Sequence, residues 1–221
     1  MTNTKNLKWT EGNAKLVKTG GDTLRVLGYG IPADYTLENG QNTCPGANAC
    51  RGVCYAKQGR YAMAGVFNAR KHNVDVFAGG AANFVSLAVA DLTRFAKRYN
   101  VVRVHDSGDF FSQEYLDAWK AIARAMPNLT FYAYTKSLHL DLYTDLPVNF
   151  RLIQSLGGKY DERVNLEQSH ARIFATDEDR VRAGYIDGNV NDLPAINGET
   201  RIGLVYHGVK KMTDAQKKYF A

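Results

Sequence analysis

The sequence predicts an α/β fold built mainly on parallel strands. Three observations carry that prediction. Short apolar stretches of strand character recur along the 221 residues. Segments of helical spacing stand between several of them. Gly-, Asn- and Pro-containing turns punctuate the joins. Strands alternating with helices imply β/α units, and six such units make either an open barrel or a doubly wound sheet. In both, ligands sit beyond the C-terminal ends of the strands. A chain of this length can bury a full core as one domain, so 1–221 is read as a single domain.

Taken in order, NAKLVKTGGDTLRVLGYG reads as two short strands around a Gly-Gly-Asp turn, the second at Leu24–Leu27. A long turn-rich loop follows, with the cysteine-bearing part at 34–60. Residues 61–77 place Val66, Ala69, Asn73 and Phe77 on one helical face. Residues 82–99 do the same with Phe84, Ala88, Leu92, Phe95 and Tyr99. VVRV at 101–104 is a buried-type strand, and His105–Asp109 is the turn after it. Ser112 is the expected N-cap of a helix over 113–126, striped by Leu116, Trp119, Ile122, Ala123 and Met126. LTFYAYTK is the next strand, LHLDLYTDL a short helix and NFRLIQSLGG a strand. ARIFAT is the fifth parallel candidate, with a helix from about Asp177, and IGLVYHG is the sixth.

If the strands are parallel, the residues just past them share one cleft. These are Gly28–Gly30 with the cysteine loop, His105–Asp109, Thr135–Lys136, Gln154–Ser155, Thr176–Asp177 and Tyr206–His207.

Composition narrows the classes. No run of about 18 apolar residues exists, which argues against a membrane span. The polar start MTNTKNLKWTEG lacks the apolar core of a signal peptide, so a reducing cytosol is the expected compartment. The net charge of +6 would suit nucleic acid, but the basic residues are scattered. Their densest groups are Arg94–Lys97–Arg98 and Lys210–Lys211 with Lys217–Lys218. Neither alternates with aromatics, so a solvated basic surface is the simpler reading.

The chemistry concentrates in TCPGANACRGVCYAKQGRY, residues 43–61, which holds all three cysteines of the chain: Cys44, Cys50 and Cys54. In a reducing compartment such clustering points to metal or redox chemistry rather than disulfides. The spacing is C-x5-C-x3-C. Gly46 and Gly52 let the backbone approach closely. A [4Fe–4S] cluster takes one thiolate per iron, so three cysteines leave one iron open to a ligand. A Cys3His zinc site, with His207 as fourth ligand, is the second option, although structural zinc usually shows a C-x2–4-C pair. A redox dithiol would prefer C-x-x-C, which is absent. Three inert cysteines would suit an apolar setting better than this Gly-, Asn- and Pro-rich loop.

TCPGANACRGVCYAKQGRY, VRVHDSGDFFS, FYAYTKS and RIGLVYHG, in that order, resemble the gene product 88 domain family, found mostly in phages. The resemblance covers about residues 20–210. That family in turn resembles the radical S-adenosylmethionine (SAM) enzymes. The resemblance implies a partial (β/α)6-type barrel with a cluster loop after the first barrel strand. It also implies an aromatic residue beside the last cysteine, here Tyr55. Ser107–Gly108–Asp109 stands where those enzymes carry the acidic turn that meets the SAM amine. Their usual loop is C-x3-C-x2-C, and this chain differs at both gaps. SAM is the cofactor so implied, a reductant protein the partner, and the host cytoplasm the location.

Other candidates belong to the same cleft. His105 could ligate metal, contact a cofactor or relay protons, or simply bond the strand end. Asp109 could serve the cofactor or the helix dipole. Lys136 would draw an anion there, or snorkel. Tyr132 and Tyr134 share one strand face, Phe131 and Ala133 the other, so only one pair can line a cleft. Asp177–Glu178–Asp179 fits a helix start. DGNVND at 187–192 lacks the spacing and closing glutamate of a calcium loop. The preferred expectation is a [4Fe–4S] protein with an open iron site and radical-SAM-like chemistry; the catalytic residues and the reaction are not named by the sequence. The first alternative keeps the cluster without SAM, binding a small-molecule ligand at the open iron or passing electrons. The second is a structural zinc module that binds nucleic acid or a host protein.

Overall fold

A computed structural model describes residues 6–11, 14–20, 23–206 and 213. Among them the strands are β1 (Trp9–Thr10), β2 (Val26–Tyr29), β3 (Val101–Val104), β4 (Thr130–Thr135), β5 (Phe150–Ser155), β6 (His170–Phe174), β7 (Ile186–Asp187) and β8 (Arg201–Val205). The helices are α1 (Ala14–Gly20), α2 (Cys50–Val53), α3 (Ala64–Ala78), α4 (Ala81–Phe95), α5 (Gln113–Ala125), α6 (Asp177–Arg182) and α7 (Leu193–Asn197).

The eight strands form one mixed sheet in the order β1-β2-β3-β4-β5-β6-β8-β7. Every pairing is parallel except that of β1 with β2. The sheet is open, with β1 and β7 as its edges. The six expected strands are its six central ones, neighbouring each other in chain order. Neither edge strand is foreseen by the sequence, because two residues carry no period.

Alternation along the strands splits the core in two. Leu27 and Tyr29, Val102 and Val104, Phe131 and Ala133, and Phe150 and Leu152 face α3, α4 and α5 in the larger cluster. Val26, Val101, Tyr132, Ile153, Ala171 and Ile202 form one layer on the other face. Leu16 of α1 and Ala195 and Ile196 of α7 pack against that layer. Both faces of β4 are therefore core at its start.

Two local expectations are corrected. Ala14–Gly20, expected within a strand, forms α1. Leu16 and Thr19 are buried one turn apart, and the Thr19 hydroxyl donates to Lys15 O at 2.8 Å. LHLDLYTDL forms turns rather than a helix. The ammonium of Lys120 takes Asp141 O at 3.0 Å and Thr144 O at 2.9 Å, carbonyls that a helix would need. The helices over 61–77, 82–99 and 113–126 are present as α3, α4 and α5 with small shifts of their ends. Ser112 caps α5 by accepting from Tyr115 N at 3.1 Å. Arg94 and Arg98 lie on the exposed side of α4 and its end, paired with Asp91 and Glu11.

Candidate functional site

The sheet's inner face carries a cavity of about 510 Å³ at the C-terminal ends of the strands. Its floor is the layer two residues beyond the buried one: Arg103, Tyr134, Ser155, Ile173 and Leu204. Each follows a core residue by one strand period, Val101, Tyr132, Ile153, Ala171 and Ile202. The parallel register thus turns one plugged layer into one lined layer. The cysteine loop forms the opposite wall, with Cys44, Cys50, Cys54 and Tyr55 all on the cavity.

That loop is fastened at several points. Asp34, in the left-handed region at φ 51°, pairs with both Arg51 and Lys57. Burial opposes its ionisation, but Lys57 and Arg51 outweigh it and hold its pKa below the usual range. Its main-chain N–H donates to Cys44 Sγ at 3.3 Å. Thr43 accepts from Tyr35 N at 2.9 Å and donates to Pro32 O at 2.5 Å. Gly46 lies so close to β4's end that a Cβ there would sit 2.0 Å from Lys136 O. Lys159 N donates to Gly46 O at 2.9 Å, and Ala47 bridges Gly158. Asp161 ties this second turn by accepting from Gly157 N and Gly158 N.

The thiols stand in each other's electrostatic reach. Burial pushes Cys44 up to about 12, helped by Asp109 and the other two cysteines. Burial also raises Cys54, while the main-chain N–H groups of Ala56 and Lys57 pull it down. Among the described residues, no group of three or more His, Cys, Asp and Glu is placed to hold a metal ion. His207 lies outside the described residues, as do Lys210, Lys211, Lys217 and Lys218.

The turn after β3 meets this loop. Tyr55 Oη donates to Asp106 O at 2.6 Å. The Asp106 carboxylate is held by Arg70 at 2.9 and 3.1 Å. Arg70 also donates to Ser107 Oγ at 2.6 Å, and Ser107 Oγ donates to Ile31 O at 2.7 Å. A Cβ on Gly30 would sit 2.0 Å from Asp106 Oδ1, so only glycine admits this contact. His105, at φ 65°, is buried with its Nε2 3.1 Å from Tyr115 Oη. Burial lowers its pKa to about 3, so its ring is neutral. The Asp109 carboxylate accepts from Phe110 N at 2.7 Å, Thr135 Oγ1 at 2.6 Å and Lys136 N at 2.8 Å. Burial raises its pKa against those donors. Lys136 Nζ donates to Ser155 Oγ at 2.7 Å, Ser155 O at 3.3 Å and Leu156 O. Its pKa is lowered by burial, with Cys50 the largest opposing influence.

His105, Ser107, Gly108, Asp109 and Lys136 therefore line the same cavity as the cysteines, as the parallel-strand rule expects. Gly28–Gly30, Asp106, Thr135, Gln154, Thr176 and Asp177, expected at the same cleft, are not part of its lining; Thr176 caps α6 instead, accepting from Asp179 N at 3.2 Å. Of the two tyrosines on one face, Tyr134 lines the cavity and Tyr132 lies in the plugged layer. The sequence reading missed Arg103 and Asp192. A lone arginine inside VVRV was the available signal, since a charge on a buried strand needs a partner. That partner is Asp192, at the N-terminus of α7. It accepts from Arg103 at 2.8 Å, Lys15 at 2.8 Å, Tyr132 at 2.9 Å and Tyr134 at 3.3 Å.

The family model described as Gene product 88 matches residues 4–220. The Gene 88 protein of Mycobacterium phage D29 is 28% identical over 207 residues, covering 83% of this chain and 86% of its own. The Gene 88 protein of Mycobacterium phage L5 is 32% identical over 116 residues, so the match spans 48% of each chain. No solved structure matches the chain. No helix among the described residues is long and apolar enough to cross a membrane.

Proposed function

The chain belongs to the gene product 88 family, and from that premise we propose that Cys44, Cys50 and Cys54 hold a [4Fe–4S] cluster at the mouth of the cavity. Three thiolates would leave one iron of such a cluster without a cysteine ligand. The observation that carries this reading is that the chain's only three thiols line one cavity wall. Their setting adds support. N–H groups of Asp34, Ala56 and Lys57 point at cysteine sulfurs. Such bonds tune cluster thiolates. A thiol pushed up to about 12 stays protonated unless a metal takes the charge.

When bound, such a cluster supplies one electron and an iron able to take a ligand. The chain's own residues supply the rest. Lys136 places a positive charge near Cys50 and Cys44. Tyr55 ties the cluster loop to the turn after β3. The sequential parallel strands and a cavity at their C-terminal ends support kinship with a partial (β/α)6 barrel.

SAM is one ligand for the open iron. A second reading keeps the cluster without SAM, and one observation favours it: three donors already occupy the Asp109 carboxylate that would meet the SAM amine. A SAM titration of the reduced protein separates the two. Perturbation of the cluster's electron paramagnetic resonance signal supports SAM, and an unchanged signal at saturating SAM supports the second reading. For the cluster itself, each single Cys→Ala variant should lose normal iron loading. Unchanged iron content and visible spectrum in all three would overturn the assignment.

A further inference from the structure

Arg103 is underused for a buried cation. A guanidinium carries five N–H donors. Among the described residues Arg103 makes one hydrogen bond, from Nη1 to Asp192 Oδ2 at 2.8 Å. Its Nε is buried without an acceptor, and its Nη2 has none either. Its side chain is only 12% exposed, and what is exposed opens on the cavity. Unmade donors in such a place are costly, so the arrangement calls for an acceptor.

Asp192 cannot supply more. Its two oxygens already take Arg103, Lys15, Tyr132 and Tyr134. That fills the roughly four lone-pair sites of a carboxylate. One carboxylate thus serves two cations, Arg103 and Lys15, directly, with Asp187 a further negative charge acting on Lys15. The other charges nearby are spent. Asp106 is held by Arg70, and Asp109 and Lys136 are bonded at the cysteine side. The lining of the same cavity includes the apolar Ile173, Leu204 and Val205, on β6 and β8, three and four strands along the sheet from β3.

We infer that this floor binds the carboxylate of a small apolar acid. Arg103 anchors the carboxylate through Nη2, and the wall of Ile173, Leu204 and Val205 takes the carbon skeleton. With Nη1 held on Asp192, Nη2 still offers the acid two N–H donors in a fixed plane, which a lysine ammonium paired with Asp192 does not reproduce. A cavity of about 510 Å³ lies within the range of small-molecule sites. The donors do not involve the cysteines, so the inference stands apart from the cluster reading.

The test is titration calorimetry on the full chain purified anaerobically, with iron measured in every sample. The probes are octanoate, phenylacetate and indole-3-acetate, with 1-octanol as the uncharged control. At least one acid should bind, and octanoate at least about tenfold more tightly than 1-octanol. R103K keeps the charge and the pairing with Asp192 but lacks the fork; it should weaken acid binding by about tenfold or more. I173W narrows the cavity without touching Arg103 and should abolish binding while circular dichroism stays unchanged. Three results would overturn the inference: no acid binding at millimolar concentration, octanol binding as well as octanoate, or undiminished acid binding in folded R103K. Binding that persists in iron-free protein supports this site whatever the fate of the cluster. Loss of acid binding with iron retained removes this inference alone.

Discussion

The hydroxyl of Tyr55 donates to the main-chain oxygen of Asp106 at 2.6 Å. The residue after the last cysteine is thereby tied to the turn that ends β3. The contact joins two segments fifty-one residues apart, and it sets how far the cysteine wall stands from the cavity floor. Removing the hydroxyl in Y55F should cost about 1 kcal/mol. The loop should then open more often. Iron loss to a chelator, followed by bleaching of the visible band, should run about fivefold faster than in the parent protein, with little change in melting temperature.

Asp192 is the hub of the plugged layer, and its loss should be felt globally. D192N leaves Arg103 buried and without its carboxylate, which costs about 3–5 kcal/mol in comparable settings. The melting temperature should fall by roughly 6–20 °C for a chain of this size. D192N combined with R103M should recover part of that loss, because the unpaired buried cation is gone. Thermal denaturation of the two variants beside the parent reads both effects.

His105 gives the stability a pH dependence of known sign. Its folded pKa, lowered by burial to about 3, lies below the ordinary value of 6.5. The unfolded chain binds the proton first. Stability from this group is therefore complete above pH 6.5 and is lost as the pH falls towards 3. Between pH 6.5 and 5 the loss should be about 2 kcal/mol. H105N suits the positive φ at this position and removes the titration. Urea midpoints at pH 7 and pH 5 should differ less in H105N than in the parent, although its absolute stability is lower.

Cys44 should be slow to alkylate in metal-free protein. With its thiol at about 12, the thiolate fraction at pH 8 is about one in ten thousand. An unfolded cysteine at the same pH is about a quarter ionised. Iodoacetamide labelling followed by peptide mass spectrometry should therefore modify Cys44 at least about a hundredfold more slowly in the folded chain than in urea. G46A, which must move the loop off Lys136 O, should speed that labelling.

The sequence made the six central strands legible because each is a short apolar run between clear turns. The rule that parallel strands present their ends to one cleft then placed His105, Ser107, Asp109, Lys136 and the cysteines together. Where periodicity had too few residues to work on, reading failed. NAKLVKT looked like a strand, yet the pull of Asp192 on Lys15 and Thr19 favours a helix. LHLDLYTDL looked like a helix, yet Lys120 claims its carbonyls. Asp192 sits in a segment read only as a failed calcium loop. Its role comes from four partners distant in sequence, which no local pattern reports. The sequence offers Lys136 as an anion-drawing charge or a snorkelling lysine; its ammonium is instead engaged with Ser155 and Leu156. It acts on the cysteines through its field.

The most direct test of the central claim is metal and sulfide analysis of the full chain, purified anaerobically from iron-supplemented cells, with its absorption spectrum. The account predicts about four irons and four sulfides per chain and a brown band that reduction bleaches. Zinc alone, or no metal, in such a preparation would contradict it.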